Sequence, residues 1–166
     1  FELEALQTPV DGGFIRIDSN ENPRGPGRSA IEAIRNATTA RMGRGYAPDH
    51  VMEFYSTVAE IYGVERTHVI AATGSGPILD ATTRAYCAMD KPLVTAAPTF
   101  TNCEQTARRM GVPVKVVPVD QSLRLDVDAM AAAAQGAGLV FFCNPNSPTG
   151  TAHGAATVEK FIRGLA

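Results

Sequence analysis

The sequence predicts an α/β fold with a mostly parallel β-sheet that is covered by helices on both sides. From about residue 68 onward, short and mostly apolar runs alternate with helical segments. Strands without polar alternation are typical of parallel sheets buried on both faces. Unusual turn chemistry is concentrated where these strands would end, at 73–77, 97–100 and 144–150. Because ligands of open α/β sheets bind beyond the carboxyl ends of the strands, these three turns are the candidate site.

The segment before the repeating pattern is predicted to contain an irregular arm and two helices. Residues 1–28 carry several Gly, Pro and Asn turn signals and one short strand-like run, Phe14–Ile17. Ser29 is placed to cap a helix over Ala30–Met42, which a Gly-Arg-Gly string ends. A second helix is predicted from about Val51 to Tyr62, where apolar residues recur at helical spacing.

The rest of the chain is predicted to be a series of four strands, each followed by a helix. The strands are expected at His68–Ala72, Leu93–Ala96, Val114–Val119 and Leu139–Cys143. The helices are expected at Pro77–Met89, Thr101–Met110, Asp126–Ala134 and Ala155–Leu165. Helices that connect parallel strands have to lie on the faces of the sheet, which predicts a layered α/β architecture.

Composition excludes several classes of function. The chain has 166 residues, of which 45% are hydrophobic and 19% charged, and its net charge is -2. The chain contains no block of basic residues of the kind that binds nucleic acid or an anionic membrane. No apolar run approaches the roughly 20 residues that span a bilayer. The three cysteines form no CxxC pair, so we expect reduced, mostly buried thiols in a cytoplasmic protein. The three histidines lack metal-ligand spacing.

The turn Thr73–Pro77 is glycine-rich and opens a helix, which suits a phosphate site. Its glycines let backbone N–H groups approach an anion, and the helix N-terminus adds free donors and a positive partial charge. A plain βα turn is the alternative. A dinucleotide site is disfavoured, because Leu79 stands where its third glycine belongs and no acidic residue follows the second strand at Ala96–Pro98.

The other two turns carry ring-binding chemistry. Phe100 ends the string APTF at 97–100 and can stack on a planar cofactor, although a core phenylalanine is the alternative. The string NPNSPTG at 144–150 combines two prolines and a glycine, which force a defined turn. That turn aims short amides and hydroxyls at fixed points, as hydrogen bonding to a polar ring substituent requires.

NPNSPTG resembles the NPNNPTG motif of class I and II aminotransferases, the fold-type-I enzymes that use pyridoxal 5'-phosphate (PLP). The strings DSNENP at 18–23 and GYAP at 45–48 resemble segments of the histidinol-phosphate aminotransferase group. The resemblance covers about residues 15–166. It implies the first part of the PLP-binding, aspartate aminotransferase-like large domain over 46–166, preceded by an N-terminal arm and small-domain or interface segment at 1–45. It also implies a homodimer.

The resemblance also implies roles for individual residues. Gly74, Ser75 and Gly76 would hold the PLP phosphate, and Phe100 would stack on the pyridine ring. Asn146 would donate to the 3-oxygen of the ring. Because Ser147 replaces the second Asn of the motif, it is the open alternative for this contact. Tyr46 would contact the PLP phosphate bound to the partner subunit. Asn20 and Asn22 would lie near the substrate.

The family carries its catalytic lysine, and the aspartate that keeps the ring nitrogen protonated, after the Asn-Pro motif. The lysines present are Lys91, Lys115 and Lys160, and the predicted elements put none of them at the carboxyl end of a strand. We therefore expect no catalytic residue in these 166 residues and no activity of the isolated, truncated chain.

The function predicted for the complete enzyme is transfer of an amino group. The donor would be an amino acid or an amino-phosphate similar to histidinol phosphate, and the acceptor a 2-oxo acid. One alternative is a PLP-dependent lyase or decarboxylase of the same fold. Another is a non-catalytic fragment that pairs with another chain.

Overall fold

The computed structural model describes Asn22, residues 24–37 and residues 48–165, without the side chains of residues 48–50. The predicted run Phe14–Ile17 lies outside the described residues. The chain divides into two units, Phe1–His50 and Val51–Ala166, and each is described by itself. No helix in the described part is both long and apolar enough to cross a bilayer.

Six α-helices and three β-strands form in the described part of the chain. The helices are α1 (Arg28–Ala37), α2 (Pro48–Tyr62), α3 (Gly76–Tyr86), α4 (Asn102–Arg109), α5 (Val127–Ala133) and α6 (Ala155–Arg163). The strands are β1 (Leu93–Ala97), β2 (Val114–Pro118) and β3 (Leu139–Val140).

The strands form one parallel sheet in the order β2-β1-β3. Leu93 of β1 is in register with Val114 of β2 and Leu139 of β3, so the carboxyl ends of all three strands lie at the same edge. The first four residues of the central strand are buried, as expected for a strand covered on both faces. The predicted mostly parallel α/β fold is confirmed.

Two apolar clusters hold the helices onto the two faces of the sheet. Residues of β1 contribute to both clusters, because successive side chains of a strand point to opposite faces. The buried members of one cluster are Val94, Ala96, Val117, Leu125, Met130 and Phe161, which bring α5 and α6 onto one face. Those of the other are Cys87, Leu93, Cys103, Ala107 and Val112, which bring α4 onto the opposite face.

The predicted first strand, His68–Ala72, is wrong. His68 ends a short 3₁₀ helix, and no residue of 69–72 belongs to a strand. No described strand pairs with this segment. The N–H of Ala71 instead donates to the hydroxyl of Tyr55 at 3.3 Å, and Ile70 is 69% exposed. The predicted fourth strand is also shorter, since only Leu139 and Val140 are paired as a strand.

Side chains fix both ends of α5. At the N-terminus, a carboxylate oxygen of Asp126 accepts from the N–H of Ala129 at 2.9 Å, which is the N-cap bond expected of an aspartate. At the other end, Nζ of Lys115 in β2 donates to the carbonyls of Ala133 and Gln135 at 3.0 and 3.1 Å. Lys115 therefore satisfies orphan carbonyls at a helix C-terminus.

Helices α3 and α4 are joined by a hydrogen bond between side chains. The hydroxyl of Thr106 donates to Asp80 at 2.6 Å, and Arg84 pairs with the same carboxylate at 3.1 Å. The Thr106 bond, followed by Arg84, holds the pKa of Asp80 below its usual value. The three cysteines are unpaired, and burial raises the pKa of Cys87 and Cys103, which keeps these thiols protonated.

Candidate functional site

Two of the three predicted turns meet directly at the carboxyl edge of the sheet. The side chain of Asn146 bonds to both Pro98 and Thr99, which immediately follow β1. The glycine turn reaches the same region through Gly76, where an added Cβ would lie 3.9 Å from Nδ2 of Asn102, two residues after Phe100. Gly76 and Asn146 thus flank the segment 98–102 that carries Phe100.

The start of α3 offers unused donors. The N–H groups of Ser75, Gly76 and Ile78 donate no hydrogen bond within the described part of the chain, and Pro77 has no N–H to satisfy. Gly74 has φ of +82°, a conformation that favours glycine. Ser75 is exposed, and its hydroxyl makes no capping bond. Free N–H groups at a helix N-terminus, with a hydroxyl beside them, can bind an anionic group.

Phe100 is not part of the core. Its side chain is 45% exposed, and no other aromatic ring of the described residues stacks on it. The alternative of a core phenylalanine is thereby overturned. An exposed ring that follows the central strand is available to stack on a planar ligand.

Asn146 is buried, at 3% exposure, and its side chain is held from three sides. Oδ1 accepts from the hydroxyl of Thr99 at 2.6 Å. Nδ2 donates to the carbonyl of Pro98 at 3.0 Å and to Oγ1 of Thr149 at 2.9 Å. Asn146 could donate to a ligand only by giving up one of these bonds. Ser147, the next residue, is exposed.

The remaining predicted site residues are only partly described. Asn20 and Tyr46 lie outside the described residues. Asn22 is exposed and forms a local turn, with Nδ2 donating to the carbonyl of Gly25 at 2.8 Å and Oδ1 accepting from the N–H of Arg24 at 3.1 Å.

None of the three lysines lies at the carboxyl end of a strand. Lys91 precedes β1, Lys115 lies in the first half of β2 with its amine on the end of α5, and Lys160 lies in α6. No lysine amine is therefore placed at the turns that form the candidate site.

Sequence reasoning missed two residues of this region. Thr99 carries no sequence signal beyond its place in APTF, yet its buried hydroxyl is the donor that ties β1 to the Asn-Pro turn. Asn102 has a buried Oδ1 without a hydrogen-bond partner, beside Gly76. A polar residue next to an aromatic turn was the available signal for both. A cleft of about 690 Å³ lies nearby between Asn144, His153 and α6, but Ser75, Phe100 and Asn146 do not line it.

Comparison with known proteins assigns this arrangement to a family. The family model of class I and II aminotransferases matches residues 13–164, which is nearly the whole chain. This chain belongs to the class I and II aminotransferases. In this aminotransferase chain the match includes the glycine turn, the Phe100 turn and the Asn-Pro turn.

Two individual relatives show which members of the family the chain resembles. The aminotransferase chain is 35% identical over 159 residues to a histidinol-phosphate aminotransferase of Ruegeria pomeroyi, covering 94% of this chain and 43% of that protein. It is 32% identical over 152 residues to an aromatic amino acid aminotransferase of Nocardia farcinica, covering 90% and 42%. The chain thus spans less than half the length of these relatives.

A solved structure supports the fold. The histidinol-phosphate aminotransferase of Sinorhizobium meliloti, determined in complex with pyridoxal-5'-phosphate, superimposes with a TM-score of 0.79 at 24% identity. The alignment covers 89% of this chain and 40% of that one. At this identity the likeness concerns the fold, which agrees with the parallel sheet described above.

Proposed function

We propose that this chain is the first part of the large domain of a PLP-dependent aminotransferase. Its donor would be an amino acid or an amino-phosphate similar to histidinol phosphate, and its acceptor a 2-oxo acid. The observation that carries the proposal is the juxtaposition at one sheet edge of unused helix donors, an exposed aromatic ring and a rigid polar turn. Family membership supports the same reaction class.

The described residues fit the shape and charge of PLP. The phosphate would bind the free N–H groups of Ser75 and Gly76 and the Ser75 hydroxyl, where the dipole of α3 favours a negative charge. The pyridine ring would lie against Phe100, which offers an exposed face. The turn 144–150 would present a polar group to the ring oxygen.

When bound, PLP would supply the electron sink that amino-group transfer requires. The residues of this chain would bind and orient it rather than move protons. The amine that holds the cofactor would come from elsewhere in the protein, because the strand ends of this chain carry no lysine. The isolated chain is therefore proposed to be inactive, and the segments 1–45 and 46–166 are proposed as an interface arm and part of the large domain. A cytoplasmic location remains part of this proposal.

Two other functions would use the same residues. A PLP-dependent lyase or decarboxylase needs the same phosphate and ring contacts, because these residues hold the cofactor and do not choose the bond that breaks. A non-catalytic partner chain would keep the fold without turnover. The relatives named above favour the aminotransferase. They include both a histidinol-phosphate aminotransferase and an aromatic amino acid aminotransferase, so either kind of donor fits the comparison.

The test is an assay of the protein as its gene encodes it. With PLP, we expect the amino group of histidinol phosphate or of an aromatic amino acid to appear on the added 2-oxo acid, as measured with a ¹⁵N-labelled donor. Release of free ¹⁵N-ammonium without a labelled amino acid would identify a lyase instead. Borohydride reduction of the 166-residue chain with PLP should label no lysine stoichiometrically. Stoichiometric labelling together with turnover would overturn the proposed inactivity.

We further propose a homodimer in which Tyr46 reaches the phosphate of the partner's cofactor. Tyr46→Phe should weaken PLP binding by about one hydrogen bond to a charged group, roughly 1.5–3 kcal/mol, as measured by equilibrium titration. Unchanged affinity would count against the contact.

A subunit-mixing experiment separates a contact across the dimer from one within a subunit. Subunits carrying Tyr46→Phe are combined with subunits carrying Ser75→Asp, which damages the phosphate site. If Tyr46 serves the partner, each mixed dimer has one intact site and one doubly damaged site, so tight binding returns to about half the sites. If Tyr46 serves its own subunit, no intact site forms and tight binding does not return.

A further inference from the structure

The side-chain amide of Asn102 forms no hydrogen bond within the described part of the chain. Its Oδ1 is buried and has no partner, whereas its Nδ2 is not buried. A buried carbonyl oxygen without a donor carries a cost that most folds avoid. Folding alone therefore gives no reason for an amide that is held with its oxygen inside and its nitrogen outside.

The nitrogen of this amide faces the start of α3. Asn102 is the first residue of α4, and Gly76 is the first residue of α3. A Cβ added at Gly76 would lie 3.9 Å from Nδ2 of Asn102, and no other side chain would come as close. Because Gly76 itself has no side chain, the amide nitrogen has direct access to the first turn of α3.

Hydrogen-bond donors converge at this point. The N–H groups of Ser75, Gly76 and Ile78 are unused within the described chain, and the helix start carries a positive partial charge. Nδ2 of Asn102 adds two further N–H groups. Turned by 180°, the amide would direct its unpaired oxygen toward these donors. The orientation in the structure instead favours an acceptor that is not part of the described chain.

A phosphate monoester suits such a cluster of donors. It carries nearly two negative charges at neutral pH and has three terminal oxygens that accept hydrogen bonds. Two backbone N–H groups and the hydroxyl of Ser75 use only part of that capacity. One more donor can therefore be added without displacing another.

We infer that Asn102 is a further phosphate-binding residue, whose Nδ2 donates to the phosphate of the cofactor at the start of α3. This inference rests on the proposed function. The phosphate then bridges the first residues of α3 and α4, and the short segment 100–102 contacts both the ring and the phosphate. No turn signal marks Asn102 in the sequence, because its neighbour Gly76 is distant along the chain.

The test compares PLP with pyridoxal, which lacks the phosphate, using the protein as its gene encodes it. The quantity measured by equilibrium titration is the ratio of the dissociation constant of pyridoxal to that of PLP. Asn102→Ala should lower this ratio about tenfold or more, as expected for the loss of one hydrogen bond to a charged group. Its dissociation constant for pyridoxal should match that of the parent protein, because the lost donor has no phosphate to contact.

The stability of the cofactor-free protein should not fall with the affinity for PLP. Asn102→Ala removes a buried oxygen that has no donor, so the melting temperature without cofactor should stay the same or rise. Loss of a residue that only supports the fold would lower the melting temperature and would weaken PLP and pyridoxal alike. Added inorganic phosphate should raise the melting temperature of the cofactor-free parent protein more than that of Asn102→Ala.

Asn102→Asp tests which end of the amide is used. The variant has the same shape but only acceptor atoms, and it adds a negative charge beside the phosphate. PLP should therefore bind it less tightly than it binds Asn102→Ala, whereas pyridoxal should bind both variants equally. Gln105→Ala is the matched control, because this amide lies on the same helix but bonds only to Thr101 and Arg109. Its ratio should equal that of the parent protein.

The outcomes separate the inference from the proposed function. If the parent protein binds neither PLP nor pyridoxal, the proposed function fails. If the parent binds both equally, or if Asn102→Ala keeps the parent ratio or loses both compounds equally, the role of Asn102 is overturned while cofactor binding stands. If Asn102→Ala does not fold, Asn102→Asp decides by the same ratio. A lower ratio with unchanged binding of pyridoxal supports the contact.

Discussion

Gly138→Ala should destabilise the fold more than any other methyl-sized change at a glycine of the described chain. Gly138 lies just before β3, and an added Cβ would lie 2.0 Å from the backbone oxygen of Tyr86. The same atom would lie 2.9 Å from Cβ of Lys91 and 3.0 Å from its carbonyl oxygen. Real Cβ atoms do not approach backbone this closely, so the end of α3 or the start of β3 would have to move.

The expected loss in the free energy of unfolding is large relative to the total stability of a domain. Overpacking usually costs about 1–3 kcal/mol, and a clash with backbone that cannot rotate away belongs at or above the top of that range. The bond from the N–H of Gly138 to the carbonyl of Pro92, at 2.9 Å, would be strained as well. Because domains are stable by only about 5–15 kcal/mol, the variant should have a much lower melting temperature or lose soluble expression.

Gly154→Ala is the matched control. Gly154 precedes α6, has an ordinary φ of -70°, and has no heavy atom within 4 Å of an added Cβ. Its replacement should change the free energy of unfolding by less than about 1 kcal/mol, the usual size of a change at an N-cap. Equal melting temperatures of Gly138→Ala and the parent protein would show that the backbone approach described here is wrong.

The contact of Gly138 also illustrates what the sequence could not reveal. A single glycine between Ala137 and Leu139 carries no turn signal, and its importance comes from the turn around Tyr86 and Lys91, some 50 residues earlier in the chain. Close approach between distant backbone segments has no local signature. The same holds for Lys115, whose role depends on where the end of α5 lies in space.

The strands that the sequence predicts correctly are those whose own residues are apolar enough to indicate burial. The run at 93–96 is apolar or small throughout, and β1 occupies the centre of the sheet. The apolar run at 68–72 looked similar but remains unpaired, because a strand also needs a neighbour. Pairing is a non-local property that periodicity cannot supply.

The candidate site was predicted because turn chemistry is local, whereas hydrogen-bond partners are not. Glycines, prolines and an aromatic residue identified the three turns, and two of these turns meet in the structure. The pattern could not show that Thr99 would use the oxygen of Asn146, or that Pro98 and Thr149 would use its nitrogen. Which member of a motif remains free to bind is decided by such contacts.

Ser75→Asp should abolish tight PLP binding while leaving the fold intact. Ser75 is the N-cap residue of α3, and Asp is as good an N-cap as Ser and complements the helix dipole. The stability of the protein without cofactor should therefore stay the same or rise slightly. In the proposed complex, however, the new carboxylate would lie against the phosphate, and the hydroxyl that donates to it would be gone.

Two energetic contributions determine the expected loss in affinity for PLP. A lost hydrogen bond to a charged group costs about 1.5–3 kcal/mol, and repulsion between like charges near a protein surface, at about 4 Å, costs up to about 4 kcal/mol. Together they predict a dissociation constant at least a hundredfold higher, since about 1.4 kcal/mol corresponds to a factor of ten. Ser75→Ala, which loses only the hydroxyl, should lose about tenfold or somewhat more.

Pyridoxal without its phosphate distinguishes a phosphate site from a general disturbance. Its binding to Ser75→Asp should match its binding to the parent protein, because the added charge has no phosphate to repel. Met89→Asp, which adds the same charge to an exposed position before β1, at the opposite edge of the sheet, serves as the charge control and should bind PLP normally. Fluorescence titration of the cofactor-free proteins gives all three constants, and thermal unfolding reports whether each variant is folded. If Ser75→Asp binds PLP as tightly as Met89→Asp does, the phosphate does not lie at the start of α3, and the site proposed for this aminotransferase is wrong.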